Sequence, residues 1–359
     1  MVDGILENKI FIKSLDCNYY VEFLEDIKNL KLKINNENYF FIIDNFVFNT
    51  FKLIDKKYSK NILVVLKPDE KEKTIDTVEK ICEELVKKGA NKTSTIVGIG
   101  GGFIQDVSQF TSKVFHRGTN LILVPTTLLS ISDSCIGGKC GINLKNFKNQ
   151  IGVYKSPSQV IIFFKFINTL SENQLIDGYG EILKLLITKN KKQTVEFLNY
   201  LKHKDIGKLE KFIKNSLNSK KDIIEIDEFE KDLRRILNYG HTFAHALESL
   251  SENEISHGHA VGFGINLANY ISMKLGLLDK DVFQYIYDSS KIIFELDKIN
   301  KNFKFSGSQY IDIIKSDKKS ENHFTNFILC KNYGNLIIKK LKLDNSIVKL
   351  IDEFHLLDA

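Results

Sequence analysis

Apolar and polar positions follow two rhythms along the chain. Over residues 1–165, short β-rich runs alternate with amphipathic stretches, and the pattern predicts strands at Tyr39–Asp44, Asn61–Lys67, Thr93–Ile99, Asn120–Val124 and Gln159–Phe163. Between the second and third, Ile75, Val78, Ile81, Leu85 and Val86 recur at helical spacing with charges between them, which predicts a surface helix over Lys71–Lys88. Strands that alternate with helices mark an α/β domain with a largely parallel sheet. From Ser171 onward proline is absent. Periodicities such as Ile182, Leu185, Leu186 and Leu233, Ile236, Leu237, Phe243, Ala244, Leu247 predict a mostly helical second domain with a late strand at Phe324–Leu329. With no repeat and no low-complexity linker, the two halves are expected to pack together around a ligand-binding cleft.

At 43% hydrophobic and 27% charged, the 359 residues have the composition of a globular chain rather than a disordered one. No apolar run reaches the ~18 uncharged residues of a membrane span. Asp3, Glu7, Lys9 and Lys13 interrupt the N-terminus, so no signal peptide is expected. Cys17, Cys82, Cys135, Cys140 and Cys330 are odd in number and form no CxxC pair, which points to reduced thiols in the cytoplasm. The net charge of +6, from 51 basic and 45 acidic residues, is spread along the chain. That gives no support to nucleic-acid binding and leaves room for a local cation cluster around an anionic small molecule.

Gly98-Ile-Gly100-Gly101-Gly102-Phe-Ile-Gln-Asp106 follows a predicted strand and opens a helix. Glycines there let backbone N–H groups approach a phosphate, although a tight strand-to-helix turn also accounts for them. The spacing is not GxGxxG, and the Lys-Ser/Thr end of a P-loop is missing. Between two apolar runs, Asp133, Lys139, Lys148 and Asn149 with Gly137-Gly138 suit a loop that binds an anionic, hydroxylated ligand. Arg234, Asn238, His241 and His245 fall at i, i+4, i+7 and i+11, which on a helix forms one polar stripe opposite Ile236, Phe243 and Leu247. Glu181 and His257 add a carboxylate and a third imidazole; Glu with two His suits a catalytic zinc, a set that spacing alone does not single out.

The segments GGGFIQD, RGTNLILVPTTLLSISDSCIGGKCGIN, KNQIGVYKSP, LIDGYGEILK, KKDIIEIDEFE, LRRILNYGHTFAHALE and HGHAVGFGI resemble, in content and order, the 3-dehydroquinate synthases of the sugar-phosphate cyclase family across residues 38–270. The resemblance implies a Rossmann-like parallel-sheet domain over 1–165 that binds NAD. This would pack on a mostly α-helical metal- and substrate-binding domain over 166–359, with the active site in the cleft. Asp44, Glu70, Lys73, Gly101, Gly102, Asp106, Thr126, Thr127 and Thr169 are then expected near NAD, with Asp133, Lys139 and Lys148 shared between cofactor and substrate. Glu181, His241 and His257 match the family's ligands for zinc, which cobalt or another divalent metal can replace. Substrate contacts map to Asp133, Lys139, Lys148, Asn149, Lys184, Lys220, Arg234, Asn238 and His245, with Glu230 in support. One of Lys318 and Lys319 matches a phosphate-binding lysine, and Arg117 would reach the substrate phosphate from the partner subunit of a homodimer.

The implied reaction converts 3-deoxy-D-arabino-heptulosonate 7-phosphate to 3-dehydroquinate and phosphate, a cytoplasmic step of the shikimate pathway to aromatic amino acids. NAD removes and returns one hydride within each turnover. Two departures stand out. His257-Gly258-His259 replaces the usual His-Gly-Glu, as in some valiolone-type cyclases, and Gly178-Tyr179-Gly180-Glu181 replaces Gly-Leu-Ala-Glu. Another sugar-phosphate cyclase, or a metal-dependent NAD alcohol or glycerol-phosphate dehydrogenase, is the alternative. Paired cations at Arg234 and Lys220 suit a 2-keto acid carboxylate and favour the dehydroquinate reading.

Overall fold

The computed structural model describes residues 8–67, 69–145, 147–203, 206–295, 299, 302–303, 305–316 and 324–357. The chain divides into two compact units, Met1–Leu170 with Lys221–Phe229, and Ser171–Lys220 with Glu230–Ala359.

The first unit runs β1 (Lys9–Ile12), β2 (Tyr19–Leu24), α1 (Ile27–Ile34), β3 (Tyr39–Asp44), α2 (Asn45–Phe51), β4 (Ile62–Leu66), α3 (Ile75–Lys87), β5 (Thr95–Gly100), α4 (Gly102–Val114), β6 (Asn120–Pro125), β7 (Lys139–Leu144), β8 (Phe147–Tyr154) and β9 (Gln159–Phe163). Seven of these strands form one sheet in the order β1-β2-β9-β6-β5-β3-β4. All neighbours are parallel except β1 and β2. Interior strands such as β3 and β5 are near-continuous apolar runs, as parallel strands buried on both faces must be. Leu30 and Ile34 of α1 and Val47 of α2 join Phe41, Ile43, Val97, Ile99, Val124, Ile161 and Phe163 in one core.

All five predicted strands are present. β2 escaped prediction because Glu22 interrupts its apolar run; the carboxylate is buried, with Lys33 at 2.9 Å and Lys9 at 3.4 Å. Helix α3 begins at Ile75 rather than Lys71, because the Thr74 hydroxyl caps it by accepting from the Thr77 N–H and Glu70–Glu72 form a separate 3-10 turn. The polar stretch expected as a loop is instead a π-helical turn, Ser130–Ser134, followed by the antiparallel hairpin β7–β8. Cys140 and Ile142 alternate inward along β7 and pack with Val78 and Phe110, so one face of the hairpin has a core of its own. All five cysteines are free. Residues 221–229 are tied to this unit by hydrogen bonds. Glu225 accepts from the Lys13 N–H (2.8 Å), Glu228 from the Leu15 N–H and the Ser14 hydroxyl (2.6 Å each), and the Phe229 carbonyl from the Tyr154 hydroxyl (3.2 Å).

The second unit contains α5 (Glu172–Lys189), α6 (Lys191–His203), most of α7 (Leu209–Ile224), α8 (His241–Leu250), α9 (His257–Lys274), α10 (Lys280–Phe294), α11 (Gly307–Ser316), the hairpin β10 (Phe324–Asn332) and β11 (Asn335–Lys342), and α12 (Asn345–His355). The predicted late strand is the start of β10. Its partner β11 escaped prediction because four lysine and asparagine residues break up its short apolar content. Helix α9 is buried around its circumference from Ala260 to Ser272, and α5, α8, α10, β10 and α12 pack on it. Glycines let two of these neighbours come very close. A methyl at Gly180 on α5 would overlap the Gly258 carbonyl, and one at Gly258 would overlap the backbone of Asp177. At Gly264 a methyl would overlap the carbonyl of Gly240, the left-handed residue (φ 80°) from which α8 starts. No helix among the described residues is long and apolar enough to cross a membrane.

These contacts are backbone to backbone and have no flexible side chain to give way. Gly264→Ala should therefore destabilise the protein by about 1–3 kcal/mol in urea unfolding. Gly102→Ala, where a methyl meets open space, should stay within about 0.5 kcal/mol of the parent. Equal unfolding midpoints for the two variants would contradict the close-contact role of Gly264.

Candidate active site

Three potential metal ligands each lie one residue from a glycine contact. Glu181 follows Gly180 on α5, His241 follows Gly240 at the start of α8, and His257 precedes Gly258 at the start of α9. One donor atom from each lies within 4.8 Å of the other two. Glu181 Oε1 is 3.0 Å from His257 Nε2 and 3.5 Å from His241 Nε2, while the Lys184 ammonium, one turn along α5, sits against Oε2. His241 Nδ1 is 3.2 Å from the Tyr239 carbonyl; as the N–H donor of that bond it leaves Nε2 with its lone pair. The Tyr239 hydroxyl donates to Asn269 on α9, which anchors that carbonyl. His257 Nδ1 lies 3.4 Å from Glu248 Oε1.

Glu181 is the electrostatic centre of this cluster. Burial disfavours the Glu181 carboxylate, yet Lys184 and the two imidazoles hold its pKa well below the usual carboxylate range. Burial also works against a charged His257, but hydrogen bonds to Glu181 and Glu248 outweigh it and raise the imidazole to about 10. Burial and the nearby Lys184 lower the His241 imidazole. One carboxylate and two imidazoles with a donor atom each within 4.8 Å of the others are a donor set that fits a divalent metal, with room in the coordination sphere for substrate oxygens.

Lys184, Lys220 and Arg234 are all buried in this unit, a placement that costs free energy unless anionic partners compensate. Asn238 donates through Nδ2 to Glu230, whose backbone is left-handed (φ 57°). The single helical stripe expected from sequence is broken. Leu233–Asn238 is a 3-10 turn, and Gly240 restarts the chain as α8 at His241. His241 and the exposed His245 remain one turn apart with ring centroids 5.5 Å from each other, whereas Arg234 and Asn238 are placed by the turn. Lys318 and Lys319 lie outside the described residues.

In the first unit, β4 pairs on one side of β3 and β5 on the other, so the chain changes direction between β3 and β5. The carboxyl ends of strands at such a switch point are where open α/β sheets bind ligands. Asp44 ends β3 and caps α2, its Oδ1 accepting from the N–H groups of Phe46 (2.8 Å) and Val47 (3.1 Å). Gly101 and Gly102 open α4, which has neither a capping side chain nor an acid in its first turn and so presents an N-terminus suited to an anion. A methyl at Gly98, Gly100 or Gly101 would strike Ser108, Ile104 or Thr127, so packing explains those three; at Gly102 it meets open space. Thr126 and Thr127 are brought beside the glycines by the Thr126 N–H, which donates to the Gly100 carbonyl (3.1 Å).

Lys73 bridges Glu70 (2.8 Å) and Asp106 (3.2 Å), and Asn143 donates to Glu70 (3.1 Å). Burial pushes the Asp106 carboxyl up to about 6 against the pull of Lys73. Asp133 is buried in the π-helical turn. Lys139 opens β7, and Lys148 and Asn149 are exposed near the start of β8, where Asn149 takes a left-handed conformation and donates its N–H to Asn143 (2.9 Å). The Thr169 hydroxyl is engaged locally with the Phe166 carbonyl (2.8 Å). Arg117 is exposed in a corner where it and His116 both adopt positive φ.

Sequence reasoning passed over Glu248, Tyr239 and Asp177. Asp177, one turn before Glu181, accepts from the Gly258 N–H (2.9 Å) and so seats the start of α9. His259 bonds through Nδ1 to the Ser256 hydroxyl (2.7 Å) and lies 3.8 Å from Asp177. Glu248 stands seven residues after His241, a same-face spacing that carries meaning only once α8 is known to begin at His241.

The sequence profile of the 3-dehydroquinate synthase N-terminal domain matches residues 63–177, and that of the C-terminal domain matches residues 178–320. A 3-dehydroquinate synthase of Dictyoglomus thermophilum is 35% identical over 347 residues, covering 94% of this chain and 95% of its own. Among solved structures, a 2-deoxy-scyllo-inosose synthase complexed with carbaglucose-6-phosphate, NAD+ and Co2+ has a TM-score of 0.82 at 23% identity, over 96% of this chain and 99% of that one. A 2-epi-5-epi-valiolone synthase from Streptomyces hygroscopicus with NAD+ and Zn2+ bound has a TM-score of 0.80 at 21% identity, over 96% and 98%. Those two structures share the fold. With both domain profiles matched in order, and a relative of that identity aligned nearly end to end, the chain belongs to the 3-dehydroquinate synthase family.

Proposed function

We propose that the chain is a phosphate-eliminating cyclase that converts 3-deoxy-D-arabino-heptulosonate 7-phosphate to 3-dehydroquinate, working with NAD and a divalent metal such as zinc or cobalt. The convergence of Glu181, His241 and His257 beside the buried Lys184, in a chain of this family, carries the reading. Those three residues would hold the metal, which when bound supplies a Lewis acid to polarise the alcohol being oxidised. The open N-terminus of α4 at Gly102, with Asp44, Thr126 and Thr127, would hold NAD, which supplies reversible hydride transfer. Arg234 and Lys220 bind the substrate carboxylate; Asn238, held by Glu230, and His245 bind its hydroxyls. From the first unit, Lys139, Lys148, Asn149 and Asp133 are assigned to the substrate's polar groups, and Arg117 is contributed by the partner subunit of a homodimer. Together they keep each intermediate in place for the next step, which makes the sequence of steps effectively intramolecular. The enzyme serves aromatic amino acid biosynthesis in the cytoplasm.

The buried Arg234 and Lys220 support a keto acid substrate over sugar phosphates that lack a carboxylate. His259, bonded to Ser256 beside Asp177, supports a role in seating α9 rather than in choosing substrate. Phosphate release and carbocycle formation, measured with a panel of sugar phosphates, test the assignment directly; turnover of sedoheptulose 7-phosphate alone would overturn it.

His241→Ala should abolish activity and lower zinc content, because loss of one of three ligands removes both charge and geometry; full activity of a metal-stripped preparation would refute the metal's role. NAD should be required only in catalytic amounts, and absorbance at the NADH wavelength should stay flat while product accumulates. Growth of that absorbance in step with product would identify a dehydrogenase instead. Gly102→Val should weaken NAD binding by obstructing backbone approach to the pyrophosphate. Arg234→Ala should cost on the order of 2–5 kcal/mol in kcat/KM for the keto acid phosphate, since it removes a charge-assisted contact and leaves the bound carboxylate short of a partner. A harmless Arg234→Ala would rule out carboxylate recognition at this position.

A further inference from the structure

We propose that Glu248 is a positioning residue for the metal centre, fixing the ring orientation and tautomer of His257 so that Nε2 is presented as a ligand. The inference rests on the reading of Glu181, His241 and His257 as metal ligands. Each imidazole has an oxygen at its Nδ1: the Tyr239 carbonyl for His241 at 3.2 Å, and the Glu248 carboxylate for His257 at 3.4 Å. In both, Nε2 is left to face Glu181 Oε1. His257 needs this support more than His241 does. It is the first residue of α9, and its side chain is 35% exposed against 14% for His241.

Glu248 is also in an unfavourable place for a carboxylate. It lies in the last turn of α8, where the helix dipole disfavours negative charge, and its side chain is only 12% exposed. Facing His257 compensates for both costs. One face of α8 then supplies a ligand, His241, and, seven residues on, the partner of a second ligand that comes from another helix.

The test uses the full chain, with Zn2+ affinity measured by chelator competition and the Co2+ visible spectrum as a report on coordination. Glu248→Ala should lose roughly 10–100-fold in metal affinity. Glu248→Gln, which keeps an acceptor oxygen but loses the charge, should fall between Ala and the parent. The melting temperature of the metal-free Ala variant should match that of the metal-free parent, and saturating zinc should restore its kcat. Unchanged affinity and an unchanged Co2+ spectrum in Glu248→Ala overturn the proposal. So does a loss of affinity matched by a fall in metal-free stability, which marks a purely structural role. A parent protein that takes up no zinc overturns the metal-centre reading itself.

Discussion

Contact between backbones at Gly180–Gly258 and Gly240–Gly264 governs the geometry of the second unit. Because each potential ligand is covalently adjacent to one of these contacts, its Cα position is set by helix crossing rather than by the reach of a flexible side chain. Precision of this kind is what a metal site requires, since coordination tolerates only small errors in donor position. The family departure at Gly180 gains a physical meaning here. An alanine methyl at that position would overlap the Gly258 carbonyl, so the glycine records how closely α5 approaches α9.

The same tight packing makes the electrostatics consequential. Glu181 and Lys184 are nearly water-free, so their mutual attraction is strong and neither is easily neutralised. Charges buried in this way have already lost their hydration, and a charged ligand that meets them needs no further rearrangement of the protein. In the first unit the economy is different. Lys73, Glu70 and Asp106 largely satisfy one another, while α4 offers partial charges of its backbone rather than a charged side chain.

Much of this was legible in the sequence, and the gaps have physical causes. The interior strands announced themselves because a parallel sheet buries both faces, leaving uninterrupted Ile, Val and Phe. β2 was hidden by Glu22, whose lysine partners come from β1 and α1 and are invisible locally. The polar hairpin read as a loop because only one residue in two of β7 faces its small core. The metal-ligand triad was reached through the family resemblance. Spacing joined His241 to Arg234 along a helix that Gly240 interrupts, and no periodicity links Glu181 to residues some sixty and more positions later. Glu248 and Tyr239 stayed silent because their roles depend on where α8 begins.

The short segment Lys221–Phe229 bears on how the chain is made. It belongs to the first unit, where Glu225 and Glu228 take up the N–H groups of Lys13 and Leu15, yet it is encoded some fifty residues after that unit's main stretch ends at Leu170. During synthesis the first unit therefore stays incomplete at its N-terminal edge until α5, α6 and most of α7 have left the ribosome. A gene cut after Leu170 would yield a fragment without its own last piece and a remainder carrying a segment that belongs elsewhere. For this chain the structural unit and the genetic unit do not coincide, and recombination with a relative would have to exchange two separated stretches to transplant one fold.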